Sequence, residues 1–123
     1  MKSADVKSVY SNMRSAPTGS VKLIDTGGAG SCRVFSVVWC PYTLGINSQP
    51  MIQIWSGEPS DGDSSIIYSD GAVRGAGASL SPSSPLLQFG QSPPHYFLSS
   101  KDVWVKGLDP GVNNVTLTYQ MGG

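Results

Sequence analysis

The sequence predicts an all-β fold, a sandwich or small barrel of about eight short strands with an N-terminal arm. Three observations predict it. Asn114-Val115-Thr116-Leu117-Thr118-Tyr119-Gln120 alternates polar and apolar without a break, so Val115, Leu117 and Tyr119 face a core while Thr116 and Thr118 face away. Short apolar runs recur from Val21 onward. They are closed by turn chemistry such as Asp25-Thr26-Gly27-Gly28, Asn47-Ser48-Gln49-Pro50, Asp70-Gly71 and Ser92-Pro93-Pro94. The chain has 123 residues, enough for one domain and too few for two comfortable ones.

Residues 1–20 are expected to form the arm. Val6, Val9, Tyr10 and Met13 fall at i, i+3, i+4 and i+7, the spacing of one face of a short helix. The alternative is a strap-like arm without regular structure, and in either case Pro17-Thr18-Gly19 reads as a linker. The β-domain then occupies residues 21–123. Its candidate strands are Val21 to Ile24, Cys32 to Trp39, Met51 to Trp55, Ser65 to Ser69, Leu86 to Phe89, His95 to Leu98, Asp102 to Lys106 and Asn114 to Gln120.

Two features of this domain ask for cover from outside it. In Cys32 to Cys40, strict alternation puts Cys32, Val34, Ser36, Val38 and Cys40 on one face and Arg33, Phe35, Val37 and Trp39 on the other. Both faces are largely apolar, whereas a two-layer sandwich buries only one, so the arm or a second copy must cover the rest. Met51, Gln53 and Trp55 opposite Ile52 and Ile54 repeat the pattern. The second feature is the Gly/Ser/Pro stretch from Gly71 to Pro85, longer than the ~12 residues that structureless loops usually reach. It reads as a segment ordered by another subunit or as a mobile surface loop. Between the last two strands, Lys106-Gly107-Leu108-Asp109-Pro110-Gly111 is a turn in which Pro110 presets φ and Gly111 supplies a positive φ.

Charge narrows the function classes. Charged residues make up 13% of the chain, against about 25% in soluble domains, which suggests a surface that is covered in part. Eight basic and eight acidic side chains cancel. Lys22, Arg33, Arg74, Lys101 and Lys106 are scattered singly and offer no stripe to phosphates, so nucleic acid is not an expected partner. No segment approaches ~18 apolar residues, so no membrane span is expected, and no apolar run follows Lys2 to suggest a secretion signal. Cys32 and Cys40, eight apart on one strand, would lie roughly 26 Å from each other at ~3.3 Å per residue, too far for a bridge. They read as small buried residues, with an intermolecular bond or a reactive thiol as the alternative.

Catalytic equipment is sparse. The chain holds one histidine, His95, and one glutamate, Glu58. His95 with Asp102 and a serine could be drawn as a triad, but no Gly-x-Ser-x-Gly elbow accompanies it. Cys40 with His95 could be drawn as a thiol pair, yet Cys40 precedes Pro41 without an activating neighbour. Glu58, Asp61 and Asp63 crowd one loop in which a hard cation could sit, though the spacing is not that of an EF-hand and a solvated acidic turn accounts for it. Two cysteines and one histidine at these spacings make no zinc site. Gly27-Gly28-Ala29-Gly30 and Gly75-Ala76-Gly77 lack the Gly-Lys-Ser/Thr that a phosphate loop requires, and Asn114-Val115-Thr116 reads as strand rather than glycosylation signal. No catalytic residue, metal or cofactor is therefore assigned. What remains is aromatic. Trp104 lies between the core-facing Val103 and Val105, so it should point outward, as an interface anchor or as a stacking platform for a sugar ring. Trp39, Tyr42, Trp55 and Tyr96 complete the set of candidate interface residues.

From Val21 onward the chain resembles the small all-β structural proteins of tailed bacteriophages, in particular capsid decoration or cement proteins. The residues that carry the resemblance are Arg33 to Trp39, Gln53-Ile54-Trp55-Ser56-Gly57, Ser65 to Ser69, Leu86-Leu87-Gln88-Phe89-Gly90, Asp102 to Gly107, and Asn114 to Gln120. The resemblance implies a jelly-roll-like module, commonly trimeric, that binds the major capsid protein lattice without catalysis. It implies a place on the capsid surface of the virion, and the host cytoplasm during assembly. The long Gly71 to Pro85 segment and the arm depart from that pattern and leave room for a head-fibre base or a tail-associated adaptor. A carbohydrate-binding module using Trp39, Trp55 or Trp104 is the reading from a different class.

Overall fold

The computed structural model describes residues 6–27, 30–42, 50–71, 96–108 and 110–122. Within them lie β1 (Val6–Asn12), β2 (Ser20–Ile24), β3 (Cys32–Pro41), β4 (Met51–Ser56), β5 (Ser65–Gly71), β6 (Phe97–Ser99), β7 (Val103–Leu108) and β8 (Val112–Met121). β1 pairs with β8, β2 with β7, β3 with β6 and β4 with β5, all antiparallel. Each pair nests inside the one before, as in a single long hairpin. Lateral pairing of β3 with β8 and of β4 with β7 zips the rolled hairpin into two four-stranded sheets, β1-β8-β3-β6 and β2-β7-β4-β5. A hairpin wrapped in this way is a jelly roll, so the all-β sandwich expected from the sequence is the fold.

The core lies between the sheets. β7 and β8 alternate as the sequence predicts, with Val103, Val105, Val115 and Leu117 buried and Trp104, Thr116 and Thr118 half-exposed between them. Ile52 and Ile54 enter from β4, and Ile24 from β2. Burying each such side chain contributes about 1.5–3 kcal/mol. Two polar ties join the layers where the core meets its rim. The buried hydroxyls of Ser56 and Ser99 lie 2.8 Å apart, and Trp39 Nε1 donates to Asp70 Oδ2 at 3.2 Å.

β3 departs from strict alternation. Val34 opposes Tyr119 and Ser36 opposes Thr118, so one extra residue is inserted into β3 at that point. Such a bulge reverses which residues point inward. Cys32 and Val34 face the core before it, and Val37 and Trp39 after it, all at most 1% exposed. The two apolar faces read from the sequence are therefore one face in space, with Arg33, Phe35 and Val38 half-exposed on the other. The cover thought necessary for β3 is supplied by its own sandwich. β4 likewise buries Ile52 and Ile54 and leaves Met51, Gln53 and Trp55 half-buried outside.

Residues 6–19 are not a separable arm, and Val6 to Met13 is not helical. β1 runs along β8 from the Val6–Gln120 pair to the Asn12–Asn114 pair, and Met13 follows into the core at 4% exposure. Met13 N then donates to the Asn113 carbonyl at 2.8 Å, and the chain turns through Arg14–Gly19. Val112 N donates to the Pro17 carbonyl at 2.9 Å, and Gly107 N donates to the Gly19 carbonyl at 3.2 Å. The helical spacing was misleading because an edge strand carries apolar residues on both faces. Val6 and Tyr10, each 59% exposed, point outward, whereas Val9 and Met13 pack on the core.

Other boundaries shift by a few residues. β7 continues through Gly107 and Leu108, and β8 begins at Val112, with Gly111 just before it at φ +110°. Gly71 ends β5 rather than opening a loop. Residues 72–85, the strand expected at Leu86 to Phe89, and His95 lie outside the described residues. Cys32 and Cys40 are both buried and free. Among the described residues no helix is long and apolar enough to cross a membrane.

Candidate functional site

Register across the second sheet assembles an outward-facing row that no single strand reveals. Lys22 on β2 opposes Trp104 on β7, Trp104 opposes Trp55 on β4, and Trp55 opposes Ile66 on β5. Directly opposite residues point to the same face, with Cβ atoms about 5 Å apart. The two tryptophans are thus lateral neighbours on the solvent side, both half-buried, beside an Ile66 that is 45% exposed. The next row holds Ser20, Lys106, Gln53 and Ser69. Trp55 Nε1 donates to Gln53 Oε1 at 3.1 Å, which fixes its ring on this face.

At the Trp104 end the row opens into a pocket of about 340 Å³ lined by Lys22, Gly57, Glu58, Asp61, Lys101, Asp102 and Trp104. Its walls are held in place. Asp102 Oδ1 accepts from Thr26 N at 2.8 Å and from Thr26 Oγ1 at 3.0 Å, and Asp102 Oδ2 lies 3.6 Å from Lys22 Nζ. Lys101 Nζ donates to the Asp63 carbonyl, and Gly57 N donates to the Asp102 carbonyl at 2.7 Å. The Glu58 loop folds on itself, with Ser60 Oγ donating to Glu58 Oε1 and Asp63 N donating to Asp61 Oδ1.

The Thr26 backbone N–H first, then its hydroxyl and the Lys22 charge, hold the Asp102 carboxyl below the usual carboxylate range. A carboxyl with a depressed folded-state pKa stabilises the fold above its unfolded pKa of about 3.9, and that contribution is lost as pH falls through the lower folded value. Asp102→Asn should therefore cost about 1 kcal/mol at neutral pH, the size of a partly exposed charge-assisted contact. The gap from wild type should close as pH falls below the carboxylate range. Thermal unfolding of both proteins from pH 7 to pH 2 checks this, and a gap that stays constant across that range would refute it.

The outer face of the first sheet differs in chemistry. Gln120 sits between Val6 and Arg33, and Arg33 also opposes Leu98 on β6. Thr116 sits between Tyr10 and Val38. Tyr96 lies over this face, its ring 5.5 Å from Arg33 Cζ and edge-on to Phe35 at 5.9 Å. Val6, Tyr10, Tyr96 and Leu98 are 49–59% exposed. Among the described outward positions of these four strands, Arg33 carries the one formal charge.

No protein-family model matches the chain, and neither does any curated protein or solved structure.

The five aromatic candidates do not form one patch. Trp55 and Trp104 share the second sheet's outer face, Tyr96 belongs to the first sheet's, and Tyr42 is 43% exposed just past the end of β3. Trp39 is a correction. At 1% exposure it is a core residue, turned inward by the β3 bulge, and offers no surface to a partner. Burial pushes the Cys32 thiol up to about 11 and also raises Cys40, which keeps both protonated and poorly nucleophilic at neutral pH. Asp102, the carboxylate of the drawn triad, is committed to Thr26 and Lys22. Among the described residues no three His, Cys, Asp or Glu side chains converge as metal ligands. The sequence reading missed Lys22 and Gln53 as companions of the tryptophans, because only strand register places them there.

Proposed function

We propose that the chain is a non-enzymatic virion structural protein, a capsid decoration protein that seats the outer face of its first sheet on the major capsid protein lattice. The observation that carries this reading is that face itself, with Val6, Tyr10, Tyr96 and Leu98 exposed around a single charge, Arg33. Exposed apolar patches of this kind are characteristic of interaction surfaces. Rigid strands present the side chains in advance, which lowers the ordering cost of docking. The jelly roll supports the reading only at the level of fold, since viral capsid proteins, lectins and cupins share it. The sequence resemblance to phage decoration proteins points the same way. Self-association belongs to the proposal, most simply as a trimer, with Tyr42 and the remaining exposed apolar residues as candidate contacts.

Co-sedimentation with undecorated capsids of the encoding virus tests it. Wild-type protein should pellet saturably, and Leu98→Lys, a change at an exposed position, should weaken pelleting at least about tenfold while leaving the melting temperature near wild type. Absence of saturable pelleting, or an unaffected Leu98→Lys variant, would overturn the assignment of this face. Light scattering of a stable monomer at micromolar concentration would remove the self-association.

A further inference from the structure

We infer that the second sheet's outer face, with the pocket beside Trp104, binds a neutral glycan. Two observations converge on that ligand class. The first is planar apolar surface: Trp104 and Trp55 are adjacent across the β7–β4 ladder on the solvent side, and an indole face complements the C–H face of a pyranose ring. A ring on Trp104 would also meet the pocket that Trp104 helps to line. The second is the balance of donors and acceptors in that pocket. Lys22 and Lys101 stand among Glu58, Asp61 and Asp102. A phosphate or other anion would meet three carboxylates there, and a cation would meet two ammonium groups. A hydroxyl both donates and accepts, so a polyhydroxylated neutral ligand can use both signs at once.

The roles divide by what is already occupied. Asp102 and Lys22 are tied to Thr26 and to each other, and serve as fixed wall. Glu58 Oε1 and Asp61 Oδ1 are engaged within the loop, and each carboxylate retains a second oxygen to accept from sugar hydroxyls. Lys106 and Gln53, one row along from the tryptophans, would meet the next ring of an extended chain. The ligand is therefore an oligosaccharide longer than one residue, running along the strands from the pocket over Trp104 to Lys106 and Gln53. This site is on the opposite sheet from the proposed capsid-facing surface, so the two inferences stand or fall separately.

Titration of the full chain with cellohexaose, maltohexaose, mannohexaose and chitohexaose, followed by tryptophan emission, tests the site. Trp39 is sealed in the core, so a change in emission reports Trp55 and Trp104. At least one hexaose should bind saturably with millimolar or tighter affinity. Trp104→Ala should weaken it at least about tenfold, and Glu58→Gln, at an exposed loop position that cannot unfold the sandwich, several-fold. Trp104→Tyr keeps a ring on the strand should the alanine variant fold poorly, and it should retain part of the affinity. Failure of all four hexaoses, or binding indifferent to Trp104 and Glu58, overturns the inference. If no sugar binds and Trp104→Ala instead weakens capsid pelleting, the tryptophan face is a protein interface and the glycan site is likewise overturned.

Discussion

A chain from which residues 1–19 are removed will not fold. Those residues contain all of β1, whose register pairs run from Val6–Gln120 to Asn12–Asn114 and make it the outer neighbour of β8. Their loss strips Val9 and Met13 from the core and bares the flank of β8, whose Val115 and Leu117 are fully buried. Burial of Met13 contributes about 1.5–3 kcal/mol, and the partly buried Val9 contributes less. The backbone ladder adds roughly 1 kcal/mol per hydrogen bond. The total reaches on the order of 5 kcal/mol or more, comparable with the entire stability of about 5–15 kcal/mol expected of a domain. Circular dichroism and amide proton dispersion check it: the truncated chain should lack both a cooperative thermal transition and dispersed resonances. A truncated protein that melts cooperatively near the full-length midpoint would show that β1 is dispensable. Separability was the expectation from the sequence, so the experiment also decides between a strap and an integral strand.

What the sequence disclosed depended on whether neighbouring positions or distant ones held the information. In β8 and β7 the inward residues Val115, Leu117, Val103 and Val105 follow the two-residue period of a strand, and they were legible because the signal is local. The β3 bulge was not. Cys32 to Pro41 is mostly apolar, and its two polar residues, Arg33 and Ser36, are too few to mark where the period slips; the slip is set by how β3 meets Thr118 and Tyr119, some eighty residues away. The same holds for the site. Trp104 was identifiable as outward from its buried neighbours, yet its pairing with Trp55 and Lys22 is a property of register. β1 was obscured for a different reason: as an edge strand with Tyr10 and Val6 exposed, it lacks the polar outer face that would have distinguished it from a helix.

Gly107→Ala and Gly111→Ala should each destabilise the protein by about 3 kcal/mol or more, although neither residue touches the tryptophan face. Gly107 lies within β7, where a side chain is otherwise expected, and Gly111 follows Pro110 at φ +110°. A Cβ built on either one falls directly on the Pro17 carbonyl oxygen; at Gly107 it also comes within 3.1 Å of Val112 N, and at Gly111 within 2.7 Å of Pro17 Cβ. The obstacle is mainly backbone, which cannot swing aside like the end of a lysine. Pro17 is moreover held in place by the hydrogen bond from Val112 N at 2.9 Å. Adding a methyl group therefore drives the Arg14–Gly19 turn off the sandwich, breaks that bond and the one from Gly107 N to the Gly19 carbonyl, and loosens Met13 behind it. At Gly111 the positive φ adds its own penalty for any side chain. Gly62→Ala provides the contrast: nothing lies within 4 Å of its Cβ, and the change should stay within about 0.5 kcal/mol of wild type. Urea unfolding midpoints of the three variants check the ordering. Because both core substitutions expel the same turn, the double variant Gly107→Ala/Gly111→Ala should cost less than the two single losses combined. Simple additivity would mean that the glycines act independently of Pro17, and a Gly107→Ala midpoint equal to that of Gly62→Ala would mean that the turn does not dock there.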